Sequence, residues 1–301
     1  MTTPRDVLTR GLVDHGYWIA TGAPGIFGRT ARFNAILEGF DALVIDVGRE
    51  AGAERVEFPP VMDREILRRA GFMESFPELC GSIHGYRAAK GSHLDLIDRV
   101  EAGGDWTEYL EQLPLTLSPA ACYPLYPSCT GRLPAGGRLF DLSTFAFRAE
   151  PSDDPARLQA FRQHENVRLG APEDVRAWRD AWSGRGLEML GALGLDARLE
   201  LATDPFFGRG GRLLAANQLA EELKFEVVVP ITSESSPTAL CSFNYHEDKF
   251  ARAFDITTAD GGLAHSACIG FGLERVVLAL LETHGFDLTV WPARVREAVG
   301  L

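Results

Sequence analysis

Gly270-Phe271-Gly272 runs straight into Leu273-Glu274-Arg275, and Leu273 to Leu281 is apolar apart from Glu274 and Arg275. A helix that is apolar on every side is a buried one. An arginine on such a helix needs an anion or an acceptor, because an unpaired buried charge is very costly. Backbone N–H groups at a helix start favour anions. Two glycines, a helix N-terminus and an arginine together suggest a phosphate site around Arg275. The same residues also suit a structural Glu274–Arg275 pair in a core helix, and Gly-x-Gly alone is a weak signal.

The elements that must hold this turn can be outlined from the pattern of side chains. Arg29 to Gly48 carries Phe33, Ile36, Leu37, Phe40, Leu43, Val44 and Ile45 at helical spacing. Ala53 to Pro60 reads as a short strand closed by Pro59-Pro60, and 62–72 and 92–102 read as short helices. Residues 1–28 are mixed, and recurring prolines make 113–134 turn-rich. Residues 136–170 predict strand, loop, strand, since Pro-Ser-Asp-Asp-Pro-Ala in the middle suits neither element. After Pro172 an amphipathic helix runs to a glycine stop, and 211–223 predicts another. Lys224 to Ile231, Ala239 to His246 and Ala251 to Thr258 predict strands. No internal repeat or low-complexity linker interrupts the chain, so 1–301 reads as one domain.

Composition narrows the partners. The chain has 301 residues, is 46% hydrophobic and carries a net charge of −12 with a pI near 5.1. A protein whose main partner is a polyanion carries a basic footprint; no basic run or arm is present. The charge therefore argues against tRNA or DNA. The N-terminus lacks the apolar core of a signal peptide, and no run approaches the roughly 18 apolar residues of a membrane span. Five scattered cysteines fit reduced cytoplasmic thiols better than a disulfide framework.

Gly270 to Leu281, GFGLERVVLALL, resembles motif 3 of the class II aminoacyl-tRNA synthetases, where the arginine holds the γ-phosphate of ATP. FAFRAE (145–150) followed by RLQAFRQHE (157–165) resembles motif 2. The 29–48 helix with its proline-closed strand resembles motif 1, which builds the dimer interface of that superfamily. Longer strings are similar to one branch: ACYPLYP, FAFRAEPSDDPARLQAFRQHE, DPFFGRGGRLLAANQLAEELKFE and FDITTADGGLAHSACIGFGLERVVLALL. They resemble the amino acid:[carrier protein] ligases, relatives of the catalytic core of methanogen-type seryl-tRNA synthetases, over about residues 30–292.

The resemblance implies an α+β fold, a mostly antiparallel sheet flanked by helices, working as a homodimer. It implies ATP with Mg²⁺, a zinc ion in the amino-acid pocket, and transfer of a small amino acid, glycine or alanine, to a carrier protein's phosphopantetheine thiol. Arg148 would stabilise charge developing on the α-phosphate, with Arg275 on the γ-phosphate and Glu274 beside it. Glu150 would meet the adenine amino group or set the loop, Phe161 would stack on the adenine, and Arg157 would reach the outer phosphates. Lys224, Glu226 and Asn244 would face the substrate pocket. Glu165 and Cys268 carry over as zinc ligands, and Cys122 fits the family string better than Cys129 for the third. No CxxC or HxxH spacing points to this site independently, yet three protein ligands with a fourth position open suit a catalytic zinc that reads an α-amino group.

Only about 28 residues precede motif 1, too few for the tRNA-binding domain of a seryl-tRNA synthetase. Activation machinery without a tRNA grip needs another acceptor. Carrier proteins are usually acidic, so docking on an acidic enzyme needs local basic residues; Arg209, Arg212 and a helix from Leu213 to Leu223 offer such a surface. Two other readings stay open: a stripped-down synthetase paralogue with a different acceptor, and a regulatory paralogue that has lost catalysis.

Overall fold

A computed structural model describes residues 3–49, 52–88 and 91–301. A seven-stranded sheet organises the chain, in the spatial order Arg198–Leu201, Lys224–Val229, Thr238–Glu247, His265–Gly272, Ala160–Gly170, Arg138–Phe147 and Ala53–Val56. All neighbours are antiparallel except the last pair, in which Ala53–Val56 runs parallel to Arg138–Phe147. The fold is therefore α+β, with a mixed, mostly antiparallel sheet.

Alternation along the strands divides the molecule into two sides. On His265–Gly272, the side chains of Ala267, Ile269 and Phe271 join the larger core, where three helices pack. These are Ala31–Gly48, Pro172–Ala192 and Leu273–His284. Phe271 meets Phe40 and Trp182 edge-on, at 5.9 and 6.4 Å between ring centroids. Cys268, from the alternate set, faces a second, smaller core. The Pro172–Ala192 helix sits so close to the sheet that a Cβ on Gly186 would lie 2.6 Å from the Phe243 ring. The Leu273–His284 helix is buried along nearly its whole length, as its composition requires. Thr30 caps Ala31–Gly48 by accepting from the Phe33 N–H.

Several segments depart from the sequence pattern. Residues 1–28 hold a helix, Pro4–Asp14, started by a Thr3/Asp6 capping box, and a hairpin of Trp18–Ala20 with Phe27–Arg29. Residues 62–72 are not one helix: a strand, Val61–Asp63, precedes short helices at Arg64–Arg69 and Phe72–Ser75. Leu110–Leu117 is the middle strand of a three-stranded sheet despite Pro114. The register there jumps from Ser82↔Thr116 to His84↔Gln112, so the missing N–H falls in an irregular stretch. Residues 251–258 are mostly not strand: Lys249–Phe254 is helical and only Ile256–Thr257 extends. Phe250 and Phe254, four apart, both stack on Tyr126, so the packing period there is helical. The 211–223 helix spans Gly208–Ala220.

Candidate active site

The cavity-facing side of the sheet borders a cleft of about 810 Å³. In its wall, Cys122, Glu165 and Cys268 converge, their ligand atoms all within 4.8 Å of one another. Glu165 and Cys268 come from adjacent antiparallel strands, with Glu165 opposite Gly270 in the register. A Cβ on Gly270 would press on Gln163 Nε2 at 3.1 Å and Glu165 Cγ at 3.6 Å, so glycine keeps this floor open. Cys122 precedes the 3₁₀ turn Tyr123–Cys129. Its position is pinned through Gln163, whose Oε1 accepts from the Ala121 N–H at 3.3 Å.

The electrostatics of this corner suit a cation. Glu165 is 1% exposed, and its Oε2 is buried without a hydrogen-bond partner. Burial, helped by negative charge on Cys268, pushes the Glu165 carboxyl up to about 8. The Cys268 thiol is held well below its ordinary range, first by the Cys122 contact, against burial, with His246 and Asn244 adding to it. A divalent ion would offset most of the negative charge of the stranded carboxylate and the two sulfurs. Cys129 is not part of this group: its Sγ lies 3.9 Å from Arg138 Nη1 and beside Ser128.

The arginines line the same cleft. Arg148 follows the Arg138–Phe147 strand; its Nε donates to the Pro119 carbonyl at 3.2 Å, and its guanidinium lies 5.4 Å from the Phe161 ring centroid. Arg275, in the first turn of its helix, donates from Nε to the Ala156 carbonyl at 2.8 Å and from Nη1 to the Ala239 carbonyl at 3.0 Å. Both are anchored by carbonyl oxygens rather than carboxylates, so their charge remains available to an anion. Burial, with Arg148 adding to it, pushes Arg275 down to about 10, which leaves it cationic at neutral pH. Glu150 and Arg157 pair at 3.3 Å on the intervening loop and line the same cleft.

Glu274 does not line the cleft with these residues. Its carboxylate, 1% exposed, lies 3.0 Å from Arg29 Nε and accepts from the Arg162 N–H at 2.7 Å. It lines a small pocket that shares Ala156, Phe161, Gly272 and Arg275 with the cleft, and it braces the helix to the neighbouring strand. Arg275 and Glu274 are thus not a pair with each other.

Lys224, Glu226 and Asn244 all line the cleft. Lys224 Nζ sits 2.6 Å from Asp204 Oδ1 and 2.9 Å from Glu226 Oε1. Burial pulls the Lys224 amine down, but the two carboxylates outweigh it and hold it above the ordinary lysine range. Asn244 Nδ2 reaches Ser242 Oγ at 3.2 Å and Cys268 Sγ at 3.5 Å. Sequence reasoning missed Asp204, its partner Gln218, and Gln163 and His246. Asp204 and Gln218 lay within one family-like string and Gln163 within another, but the role of each, like that of His246, depends on what folds against it.

No family model matches the chain. The tertiary fold does have clear relatives. A solved complex of A. aeolicus tRNASec with M. kandleri seryl-tRNA synthetase matches with a TM-score of 0.81 at 21% identity, covering 97% of this chain and 60% of that one. An ATP complex of Pyrococcus horikoshii seryl-tRNA synthetase matches with a TM-score of 0.71 at 15% identity, covering 98% and 62%. The architecture is that of a class II aminoacyl-tRNA synthetase catalytic domain. Two Bradyrhizobium diazoefficiens proteins, amino acid–[acyl-carrier-protein] ligases 1 and 2, are 44% and 45% identical over 282 residues, covering 93% of this chain and 86% and 84% of theirs. The chain belongs to the amino acid–[acyl-carrier-protein] ligase family. The type-2 serine–tRNA ligase of Methanopyrus kandleri is 26% identical over 283 residues, and the match spans 53% of its length.

Proposed function

We propose that the protein activates a small amino acid, glycine or alanine, with ATP and transfers it to the phosphopantetheine thiol of a carrier protein. The observation that carries this is one cleft lined both by two carbonyl-anchored arginines and by a Cys/Glu/Cys cage. In the first step a carboxylate oxygen attacks the α-phosphorus of ATP, giving the aminoacyl-adenylate and releasing pyrophosphate, with Mg²⁺ assisting. Arg148 offsets charge developing at the α-phosphate, while Arg275 and Arg157 hold the outer phosphates. Phe161 supports the adenine and Glu150 faces its amino group. In the second step the acceptor sulfur attacks the carbonyl carbon, a thioester forms and AMP leaves. Positioning and charge stabilisation carry the rate, and no side-chain nucleophile is needed.

The cage suits zinc, since Cys122, Glu165 and Cys268 supply soft and anionic donors and leave a fourth position open. When bound, the ion supplies a Lewis-acidic seat for a neutral α-amino group. Lys224, held between Asp204 and Glu226, gives the cleft a fixed polar wall. The restriction to glycine or alanine rests on the family resemblance, as does a homodimer.

For docking we assign the carrier to the Gly208–Ala220 helix, which carries exposed Arg212 and leaves Leu213 75% and Leu214 47% exposed. The side chain of Arg209 lies outside the described residues. Leu223 is buried beyond the helix end and takes no part.

Amino-acid-dependent ATP–pyrophosphate exchange tests the reading across the twenty amino acids. Exchange with glycine or alanine, abolished by a zinc chelator and restored by zinc, is expected. Exchange with serine, coupled to aminoacylation of tRNA, would overturn it; so would an absence of exchange with every amino acid.

A further inference from the structure

We propose that His246 is a positioning residue for the cage: its ring donates Nε2–H to the Cys268 sulfur and fixes that thiolate's direction and charge. The inference rests on the metal reading above. His246 Nε2 lies 3.5 Å from Cys268 Sγ. On the opposite edge, Nδ1 lies 3.4 Å from the Tyr126 hydroxyl and 3.2 Å from the Ser266 hydroxyl. Hydroxyls can donate to Nδ1, and a thiolate can only accept, so the arrangement selects the tautomer with its proton on Nε2.

The ring is held by construction. Tyr126 is fully buried and stacks on Phe250 with 3.8 Å between centroids, and His246 meets Phe250 edge-on at 5.0 Å. The backbone is shaped for the purpose as well. The register between the Thr238–Glu247 and His265–Gly272 strands slips between Tyr245 and Glu247, and Glu247 adopts φ +52°. A bulge of this kind redirects a side chain, and left-handed backbone at a non-glycine residue persists only where the surroundings impose it. A second donor, Asn244 Nδ2, reaches the same sulfur at 3.5 Å.

The chemistry explains why Cys268 needs such donors. Two thiolates and a carboxylate carry one more negative charge than a divalent cation neutralises. Hydrogen bonds to Cys268 draw off part of that excess and keep the bound ion electrophilic. Outer partners of this sort orient ligands and tune the metal.

The test compares wild type, His246→Phe, His246→Gln and Tyr126→Phe. Phenylalanine keeps the ring and removes the donor; glutamine returns an N–H near the Nε2 position. Tyr126→Phe keeps the stack on Phe250 and removes only the hydroxyl. Zinc affinity is measured by chelator competition, and the Co²⁺-substituted proteins are read by absorption. For His246→Phe, zinc binding should weaken about 10- to 100-fold. Its thiolate-to-cobalt band should move to lower energy, with the KM for the amino acid raised and that for ATP unchanged. His246→Gln should restore most of the affinity and the band, and Tyr126→Phe should shift the band in the same direction by less. An unchanged band and affinity in His246→Phe overturns the proposal, as does failure of glutamine to restore either. Cobalt bands showing a lost nitrogen ligand also overturn it, because His246 would then bind the metal itself. If the wild type takes up neither zinc nor cobalt, the cage reading falls first, and this inference with it.

Discussion

Individual residues divide into those named by local context and those named by contact. Arg148 and Arg275 were legible through strings that resemble motifs 2 and 3, and only Arg275, at a glycine-led helix start, carried a local anion-site signal as well. Replacing Arg275 by alanine removes a fixed positive charge from the proposed phosphate site. Pyrophosphate exchange should fall roughly 10²- to 10³-fold, with the far-ultraviolet circular dichroism unchanged. Cys122 was favoured over Cys129 only by likeness to the family string, since both are buried cysteines at the two ends of one 3₁₀ turn. Only the turn's seat against Gln163 points one of them at Glu165. Glu274 went the other way: its motif position suggested a nucleotide contact, and Arg29, far off in the chain, claims it. Asp204 was overlooked because its role is set by Lys224. Burial raises the Asp204 carboxyl, but Lys224 and Gln218 outweigh it, so its folded pKa lies below the ordinary value. A depressed carboxyl contributes stability above its unfolded pKa of about 3.9, and that contribution is lost as pH falls further. Asp204→Asn should therefore cost about 3 kcal/mol at pH 7, the low end for a broken buried pair because Glu226 still reaches Lys224. The difference from wild type should shrink below about pH 4, as urea unfolding from pH 3 to 8 would record.

At the scale of elements, periodicity succeeded wherever a segment meets one core. The 31–48 helix shows one helical spacing of apolar residues and the 273–284 helix is apolar on nearly every side, and each folded as that pattern demands. It failed where a short segment serves two neighbours. Ala251 to Thr258 looks β-like by composition, yet Phe250 and Phe254 must both reach Tyr126, and only a helical turn places them together. Leu110–Leu117 looks like turn because of Pro114, but it can pair on both sides at a slipped register. The Gly208–Ala220 helix folded as expected and leaves Leu213 and Leu214 exposed beside Arg212. If it receives the carrier, Arg212→Glu combined with Leu213→Ser should slow thioester formation at least tenfold, while pyrophosphate exchange continues at the wild-type rate. Equal transfer rates would place the carrier elsewhere.

At the scale of the molecule, charge and fold pull in different directions. The fold is shared with an enzyme solved in complex with tRNASec, yet this chain carries −12. Sequence-independent binding to a polyanion is dominated by neutralised phosphates and weakens with salt. The protein should give no tRNA shift in native gels at about 0.15 M salt, and a retained tRNA band would contradict the assignment of a carrier protein as acceptor. Among the described residues, no helix is long and apolar enough to cross a membrane.

The sequence alone determined the class of fold, and its likeness to family strings nominated the two arginines and the cage residues. Those features depend on runs of neighbouring residues, where spacing and chain order hold the information. Tertiary structure decided the rest: Cys122 over Cys129, Asp204 against Lys224, Glu274 with Arg29, and His246 turned toward Cys268. Each of these joins atoms distant along the chain. Which buried polar group meets which is settled only when strands take their register and burial makes an unpaired partner too costly to leave.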